Sequence, residues 1–288
     1  MVTRGLALLC AMFALLPGAS KGQGTQPSTS PKAAPGVSVT ITPPPQPAPI
    51  DPSLSNYLRV GSVRILQLTR GNMAPVEFDL TPSTQKVISA FGVSLTAHYS
   101  DSTTFTTSLW EDELESTYRS SQPGSKTVRT APWGGPLVYG EVRPTRASVR
   151  GNFAEGSLIY VDGQVTAVVF FDRTARGDSA VIQQIAAHRK AESEEKAAFL
   201  GNLRAALKDK GVVEAISRQS ADVGDRFRGA FLAQPQPPDD SGKANRMADL
   251  NYLARTLASS QAGFDYLLGD REALQTLYAE HSLLKEGK

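Results

Sequence analysis

The sequence predicts an α+β protein, in which an antiparallel immunoglobulin-like β-sandwich precedes a mostly helical C-terminal region. Between residues 57 and 172, β-rich segments recur at intervals of roughly ten residues, and turn-forming residues separate them. We find no helical period among these segments. After residue 178, apolar residues recur at helical spacing instead. The Cys-Trp-Cys spacing of immunoglobulin domains is missing from the sequence, so a small barrel remains the alternative.

The N-terminal residues have the pattern of a secretory signal peptide, which we place at residues 1–20. Arg4 precedes a short apolar run, and Pro17-Gly18 with small residues follows it. The run is shorter than the roughly 20 apolar residues that a membrane helix needs, so we expect no transmembrane span after signal cleavage. Cys10 lies in the middle of the run rather than at its end, which disfavours a lipoprotein.

A proline-rich disordered tether is predicted at residues 21–55. These residues include too few large apolar side chains to offset the entropy cost of ordering the chain. Residues 37–42 are the exception, because apolar and polar residues alternate there, which is typical of an edge strand. Pro43 would end such a strand.

The predicted sandwich covers residues 56–175. The turn residues Ser100-Asp101-Ser102 predict a hairpin between the alternating residues 93–99 and the threonine-rich residues 103–109. We interpret Gly92, just before this hairpin, as a turn or a bulge between two short strands.

Asp162-Gly163 is the clearest local signal in the chain. This dipeptide supplies the positive φ values of a type I′ turn, so it predicts a tight hairpin between residues 157–161 and 165–171. The second of these segments is apolar at nearly every position, which is typical of a central strand.

The predicted helical region covers residues 178–288. Asp178 is the expected N-cap of a long first helix, which we expect to break near Ser193. The charged residues 189–196 are interpreted as a solvated face of that helix. Three or four further helices follow, and each has one narrow apolar face that needs a cover.

Composition excludes several classes of protein. The chain of 288 residues is 40% hydrophobic, has a formal net charge of +2, and contains one cysteine. The hydrophobic content excludes a wholly disordered protein, and one cysteine excludes a disulfide-rich one. The small net charge excludes a strongly basic nucleic-acid-binding protein. We therefore expect no nucleic-acid partner, and no motif in the sequence points to a cofactor.

Catalytic and metal-binding residues are sparse in the sequence. None of the three histidines, His98, His188 and His281, has a second ligand at a metal-binding spacing, and we expect each to be either hydrogen-bonded within the protein or solvent-facing. The acidic run at residues 111–115 is the densest negative cluster, but it lacks the ligand spacing of a calcium loop. We predict neither a catalytic residue nor a metal site.

Two aromatic residues are the candidate binding residues, Trp133 and Tyr139. Trp133 lies in the run Pro-Trp-Gly-Gly-Pro, which places an indole at a loop tip where it stacks on a sugar or anchors a protein contact. The competing interpretation is that Trp133 folds back and closes the end of the sandwich.

One segment carries a resemblance to known proteins. Residues 165–174 read Val-Thr-Ala-Val-Val-Phe-Phe-Asp-Arg-Thr, and Gly177-Asp178 follows. This pattern resembles that of uncharacterised exported bacterial proteins, in which a late strand leads into an Asp-x-Thr turn and a Gly-Asp-capped, charge-rich helix. The resemblance implies an exported immunoglobulin-like sandwich with a helical tail. It implies no activity and no functional residues.

Together, these observations predict an exported, non-catalytic binding or assembly protein of the cell envelope, periplasmic or secreted, with an envelope protein or a glycan as partner. One alternative is an envelope-polymer hydrolase that uses carboxylates from residues 111–115, which requires two carboxyl groups facing each other across a cleft. Another is a helical adaptor for a partner protein. It requires an exposed apolar stripe along Phe199, Leu203 and Leu207, or along Met247, Leu250 and Leu253.

Overall fold

The computed structural model describes residues 51–66, 73–122, 137–150, 158–236 and 243–286. The predicted signal peptide, residues 21–50 of the predicted tether and Trp133 lie outside these ranges. Within them the chain is α+β, with two sheets of mainly antiparallel strands and with most of the helices on the C-terminal side.

The described strands form two sheets. The first has three antiparallel strands in the order β1-β2-β5, and the second has five strands in the order β4-β3-β6-β7-β8. Only the last pair of the second sheet is parallel among the described pairs. A short 3-10 helix, Pro52–Asn56, precedes the first strand. The strands are β1 (Leu58–Ile65), β2 (Met73–Pro82), β3 (Ile88–Tyr99), β4 (Thr104–Asp112), β5 (Arg143–Arg150), β6 (Leu158–Phe170), β7 (Thr174–Gly177) and β8 (Lys285–Glu286).

The main core lies between the two sheets. Residues on one face of β3, among them Phe91, Val93 and Leu95, pack there against apolar residues of the three-stranded sheet such as Phe78 and Leu80. The five-stranded sheet curls into a half-barrel, and β1 packs against β6 without being its hydrogen-bonded neighbour. An immunoglobulin-like sandwich is therefore not confirmed. The part of the prediction that holds is the coarser one, an α+β fold built on antiparallel sheets.

Two tight turns between strands are stabilised by an aspartate side chain. Asp101 Oδ1 accepts hydrogen bonds from the backbone N–H of Thr103, at 3.0 Å, and from its hydroxyl, at 2.6 Å. Asp172 Oδ1 makes the same pair of bonds to Thr174, at 2.9 Å and 2.5 Å. Each of these Asp-x-Thr turns stabilises a reversal of the chain because the carboxylate satisfies backbone and hydroxyl donors locally. The first turn closes the predicted β3–β4 hairpin, which is confirmed.

The described helices are six α-helices and the 3-10 helix already given. A helix within the strand region, α1, was not predicted from the sequence. The α-helices are α1 (Leu114–Ser121), α2 (Ser179–Leu207), α3 (Lys210–Ser217), α4 (Val223–Leu232), α5 (Lys243–Ser259) and α6 (Gln261–His281). Asp178 caps α2 as predicted, and its carboxylate accepts a hydrogen bond from Ala180 N–H at 2.8 Å.

The long helix α2 joins the sheets to the helical part of the molecule. It has 29 residues and is continuous through Ser193, so the predicted break there is wrong. At about 1.5 Å per residue it is roughly 43 Å long. Its first turns pack Val181 and Ile185 against the outer face of the five-stranded sheet. Its last turns pack into a bundle with α3, α4, α5 and α6.

The bundle buries the apolar stripes that the adaptor alternative needs to be exposed. Leu203, Leu250 and Leu253 are fully buried, Phe199 is nearly so, and Leu207 and Met247 are partly buried against the same cluster. These faces cover one another, so neither stripe is available to a partner helix. The adaptor alternative's prediction of an exposed stripe is wrong.

The predicted hairpin at Asp162-Gly163 is also wrong. Both residues lie within β6, which runs unbroken from Leu158 to Phe170 and pairs with β3 along its length. Gly163 is needed for another reason, because a Cβ atom there would lie 2.5 Å from Val60 Cγ1 and 3.2 Å from Val63 Cγ2. The glycine therefore permits close approach of β1 to β6.

We expect Gly163→Ala to lower the free energy of unfolding by about 1–3 kcal/mol, because the new methyl group overpacks the contact between β1 and β6. Urea denaturation followed by circular dichroism measures this change. Gly201→Ala is the matched control. Gly201 lies on an open side of α2 with no atom near its Cβ position, so that change should stabilise the protein by about 0.5–1 kcal/mol. Equal effects of the two substitutions would contradict our account of Gly163.

Candidate functional site

The acidic run at residues 111–115 is occupied by internal ion pairs. Arg143 Nη2 lies 2.7 Å from Glu111 Oε2, and Arg143 Nη1 lies 2.7 Å from Glu113 Oε1. Burial raises the pKa of Glu111, and the charge of Glu113 adds to this, while Arg143 opposes it. The two glutamates thus point to one guanidinium group rather than to opposite sides of a cleft, which is not the geometry that the hydrolase alternative predicts.

The third carboxylate of the run, Asp112, binds a fully buried arginine. Arg189 on α2 has no exposed surface, and it donates to both oxygens of Asp112 at 2.8 and 2.9 Å. The same guanidinium donates to the backbone carbonyls of Ser89 and His281, both at 3.3 Å. The interpretation of residues 189–196 as a solvated face is therefore wrong at Arg189 and at Ser193, which is also buried, although the Lys190–Glu194 pair is exposed.

Two of the three histidines, His188 and His281, pack against aromatic rings. The ring of His188 lies 5.2 Å from the ring of Trp110, and the ring of His281 lies 4.8 Å from that of Phe171. In the described part of the chain, three or more His, Cys, Asp or Glu residues nowhere converge in a way suited to a metal ion.

Of the two predicted binding residues, only Tyr139 is described. Its side chain is 58% exposed in the loop before β5, between the exposed residues Val138 and Val142. The backbone N–H of Gly140 donates to the carbonyl of Pro82 at 3.0 Å and ties this loop to the end of β2. Tyr139 is thus accessible, and its role in binding stays a prediction.

A second candidate surface consists of polar side chains that the sequence analysis did not place together. It lies on the outer face of the five-stranded sheet, on β4, β3 and the first half of β6, and we name it the polar face. Because side chains alternate along a strand, the residues between the core positions all point to this side. Its members are Ser94, Thr96 and His98 on β3, Thr104, Thr106 and Ser108 on β4, and Tyr160, Asp162 and Gln164 on β6.

The polar face has a pair of stacked rings at one end. His98 and Tyr160 are directly opposite each other on neighbouring strands, with ring centroids 4.2 Å apart and planes inclined by 9°. His98 Nε2 lies 2.9 Å from Asp162 Oδ2, but the two atoms lack the geometry of a hydrogen bond. The Tyr160 side chain is 49% exposed, so its ring is both positioned and accessible.

The centre of the polar face is made of hydroxyl groups. Thr96 Oγ1 and Thr106 Oγ1 are 3.2 Å apart and share a hydrogen bond across β3 and β4. Thr104, Thr106 and Ser108 are exposed. A hydroxyl group both donates and accepts hydrogen bonds. This part of the polar face can therefore bind a polar ligand although it carries no charged side chain.

A cleft adjoins the polar face where β1 packs against β6, and we name it the seam cleft. Its volume is about 510 Å³, within the range typical of small-molecule sites. Gln164 belongs to both surfaces, and Arg59 and Asp51 lie at the cleft with the apolar residues Leu58 and Val165. Gln164 is thus the residue that the polar face and the seam cleft share.

Neither a protein-family model, nor a curated protein, nor a solved structure matches this chain. None of the helices that the structure describes combines the length and apolar content needed to cross a membrane.

Sequence reasoning missed the polar face because it placed a turn inside β6. With a hairpin at Asp162-Gly163, Tyr160 would face residues of the returning strand and not His98. The alternation of residues 93–99 did show that Ser94, Thr96 and His98 share a side. The missing information was the partner strand.

Proposed function

We propose that this chain is an exported, non-catalytic binding protein of the cell envelope, and that the polar face with the adjoining seam cleft is its binding surface. The observation that supports this most directly is the exposed Tyr160 ring, which is stacked on His98 beside a row of exposed hydroxyl groups. A positioned ring among hydrogen-bonding groups favours recognition of a ligand.

The proposed location is the periplasm or the exterior of a bacterial cell. It is supported by the signal-peptide pattern of residues 1–20 and by the resemblance to exported bacterial proteins. The proposed absence of catalysis is supported by the acidic run, whose carboxylates bind Arg143 and Arg189.

Co-sedimentation of the purified chain with isolated bacterial envelope fragments tests this function. The chain should sediment with the fragments, and Thr106→Lys, which places a charged side chain in the centre of the polar face, should abolish most of that binding. Thr276→Lys introduces the same change at an exposed position of α6 and should bind like the unchanged protein.

Two results would contradict the proposal. One is equal binding by the two lysine variants, which would remove the polar face from the interaction. The other is release of soluble sugar or peptide from the fragments above the level of a protein-free control, because that would show catalysis.

A further inference from the structure

We propose that the ligand of the polar face is a neutral glycan, with the Tyr160 ring as its stacking platform. This inference rests on the proposed function and names the class of molecule bound at the same surface. In this arrangement the ring of Tyr160 contacts the C–H face of a sugar, and the hydroxyl groups of Thr96 and Thr106 exchange hydrogen bonds with sugar hydroxyls.

The ring is prepared for stacking before any ligand arrives. Tyr160 is stacked on His98 with ring centroids 4.2 Å apart, so one side of its ring is already packed before a ligand binds and the ring loses less freedom than a fully exposed side chain would. About half of its surface is exposed, which leaves it accessible to a flat apolar partner. The faces of sugar rings, lined with C–H groups, are partners of this kind.

The charges of the polar face favour a neutral ligand. Its nine residues include no lysine or arginine, and the carboxylate of Asp162 is its only acidic group. On the polar face itself a phosphorylated or sulfated polymer would find no lysine or arginine to offset the loss of its hydration, and Arg59 in the seam cleft is accompanied there by the carboxylate of Asp51. A peptide with large apolar side chains would meet hydroxyl groups where it needs an apolar floor.

The dimensions of the region suit a short chain of sugars. From Tyr160 to Gln164 the strand advances by about 13 Å, at roughly 3.3 Å per residue. Gln164 then lines the seam cleft, where Arg59 and Asp51 add further hydrogen-bonding groups. A glycan that stacks on Tyr160 can therefore extend along β6 to the amide group of Gln164.

Titration calorimetry of the purified chain with cellohexaose, chitohexaose and maltohexaose tests the proposal. At least one of these neutral oligosaccharides should bind saturably, and Tyr160→Ala should raise its Kd by about tenfold or more. Tyr160→Phe keeps the ring and should change the Kd by less than about threefold. Tyr266→Ala removes a 76% exposed tyrosine from α6 and should leave the Kd unchanged.

Gln164→Ala provides a second variant at an exposed site, in case Tyr160→Ala disturbs β6. It should weaken binding of the same oligosaccharide while the Tm stays that of the unchanged protein. Failure of all three oligosaccharides to bind, or equal Kd values for Tyr160→Ala and Tyr266→Ala, would overturn the glycan proposal.

Two further results separate this proposal from the proposed function. If heparin binds and the neutral oligosaccharides do not, the neutral-glycan proposal fails. If envelope fragments bind through the polar face while no neutral oligosaccharide does, the ligand is of another class and the proposed function stands. If neither binds, both proposals fail.

Discussion

Asp112→Ala will lower the free energy of unfolding by about 3–5 kcal/mol, the largest loss that we expect from a single substitution. The change removes the ion-pair partner of Arg189, whose guanidinium has no contact with water. The hydrogen bonds that remain, to Ser89 and to the carbonyl of His281, do not neutralise the buried positive charge. Asp112 Oδ1 also accepts from Leu114 N–H at 3.0 Å, so the first residue of α1 loses this hydrogen bond as well.

Urea denaturation compares this loss with that of an exposed ion pair. Arg204 on α2 and Glu272 on α6 also link two elements, but both side chains are about half exposed. Glu272→Ala should therefore cost only about 0–1 kcal/mol. A loss for Asp112→Ala no greater than that for Glu272→Ala would refute the role given to the buried pair.

A double substitution separates the buried charge from the packing. Asp112→Leu combined with Arg189→Met replaces both charged groups with apolar ones of similar size. We expect the double variant to recover most of the stability lost in Asp112→Ala, because no unpaired charge stays in the interior. A double variant as unstable as Asp112→Ala would show that the hydrogen bonds of Arg189 matter more than its charge.

Local signals in the sequence predicted the elements whose causes are local. The N-cap at Asp178 and the hairpin turn at Asp101 depend on a carboxylate and the backbone two residues further on. The helical apolar stripe of α2 likewise depends only on spacing, and Val181, Ile185 and Leu203 are buried as that spacing requires. Each of these features lies within a few residues of its signal.

Features that depend on distant parts of the chain could not be predicted in this way. Arg189 lies in a charged segment of a helix, and nothing within that segment shows that Asp112, 77 residues earlier, covers it. Gly163 has the local chemistry of a turn residue, yet its role is set by Val60 on another strand. The candidate site combines both kinds of feature, since alternation predicts which side His98 is on and only the register brings Tyr160 beside it.

The stability of this protein will fall as the pH is lowered from about 6.5 to 4, and His281 will account for up to about 3 kcal/mol of that fall. Burial, followed by the charges of Arg189 and Arg173, lowers the pKa of His281 to about 4, although the charges of Glu280 and Asp112 oppose this shift. The unfolded chain binds a proton at this histidine below about pH 6.5, whereas the folded chain stays neutral there until about pH 4, so acid favours unfolding in this window.

His281→Phe isolates this contribution, because it keeps an aromatic ring beside Phe171 and removes the titrating group. Urea denaturation at a series of pH values should give the variant a shallower loss of stability than the unchanged protein between pH 6.5 and 4. Above pH 7 the histidine is neutral in both the folded and the unfolded chain, so the two curves should run parallel there and serve as an internal control. Parallel curves throughout the acidic range would mean that, despite the nearby guanidinium of Arg189, His281 acquires its positive charge at the same pH in the folded and the unfolded chain. Burial without a partner for that charge makes such a state unfavourable, and the shape of the two curves therefore tests the environment of this residue directly.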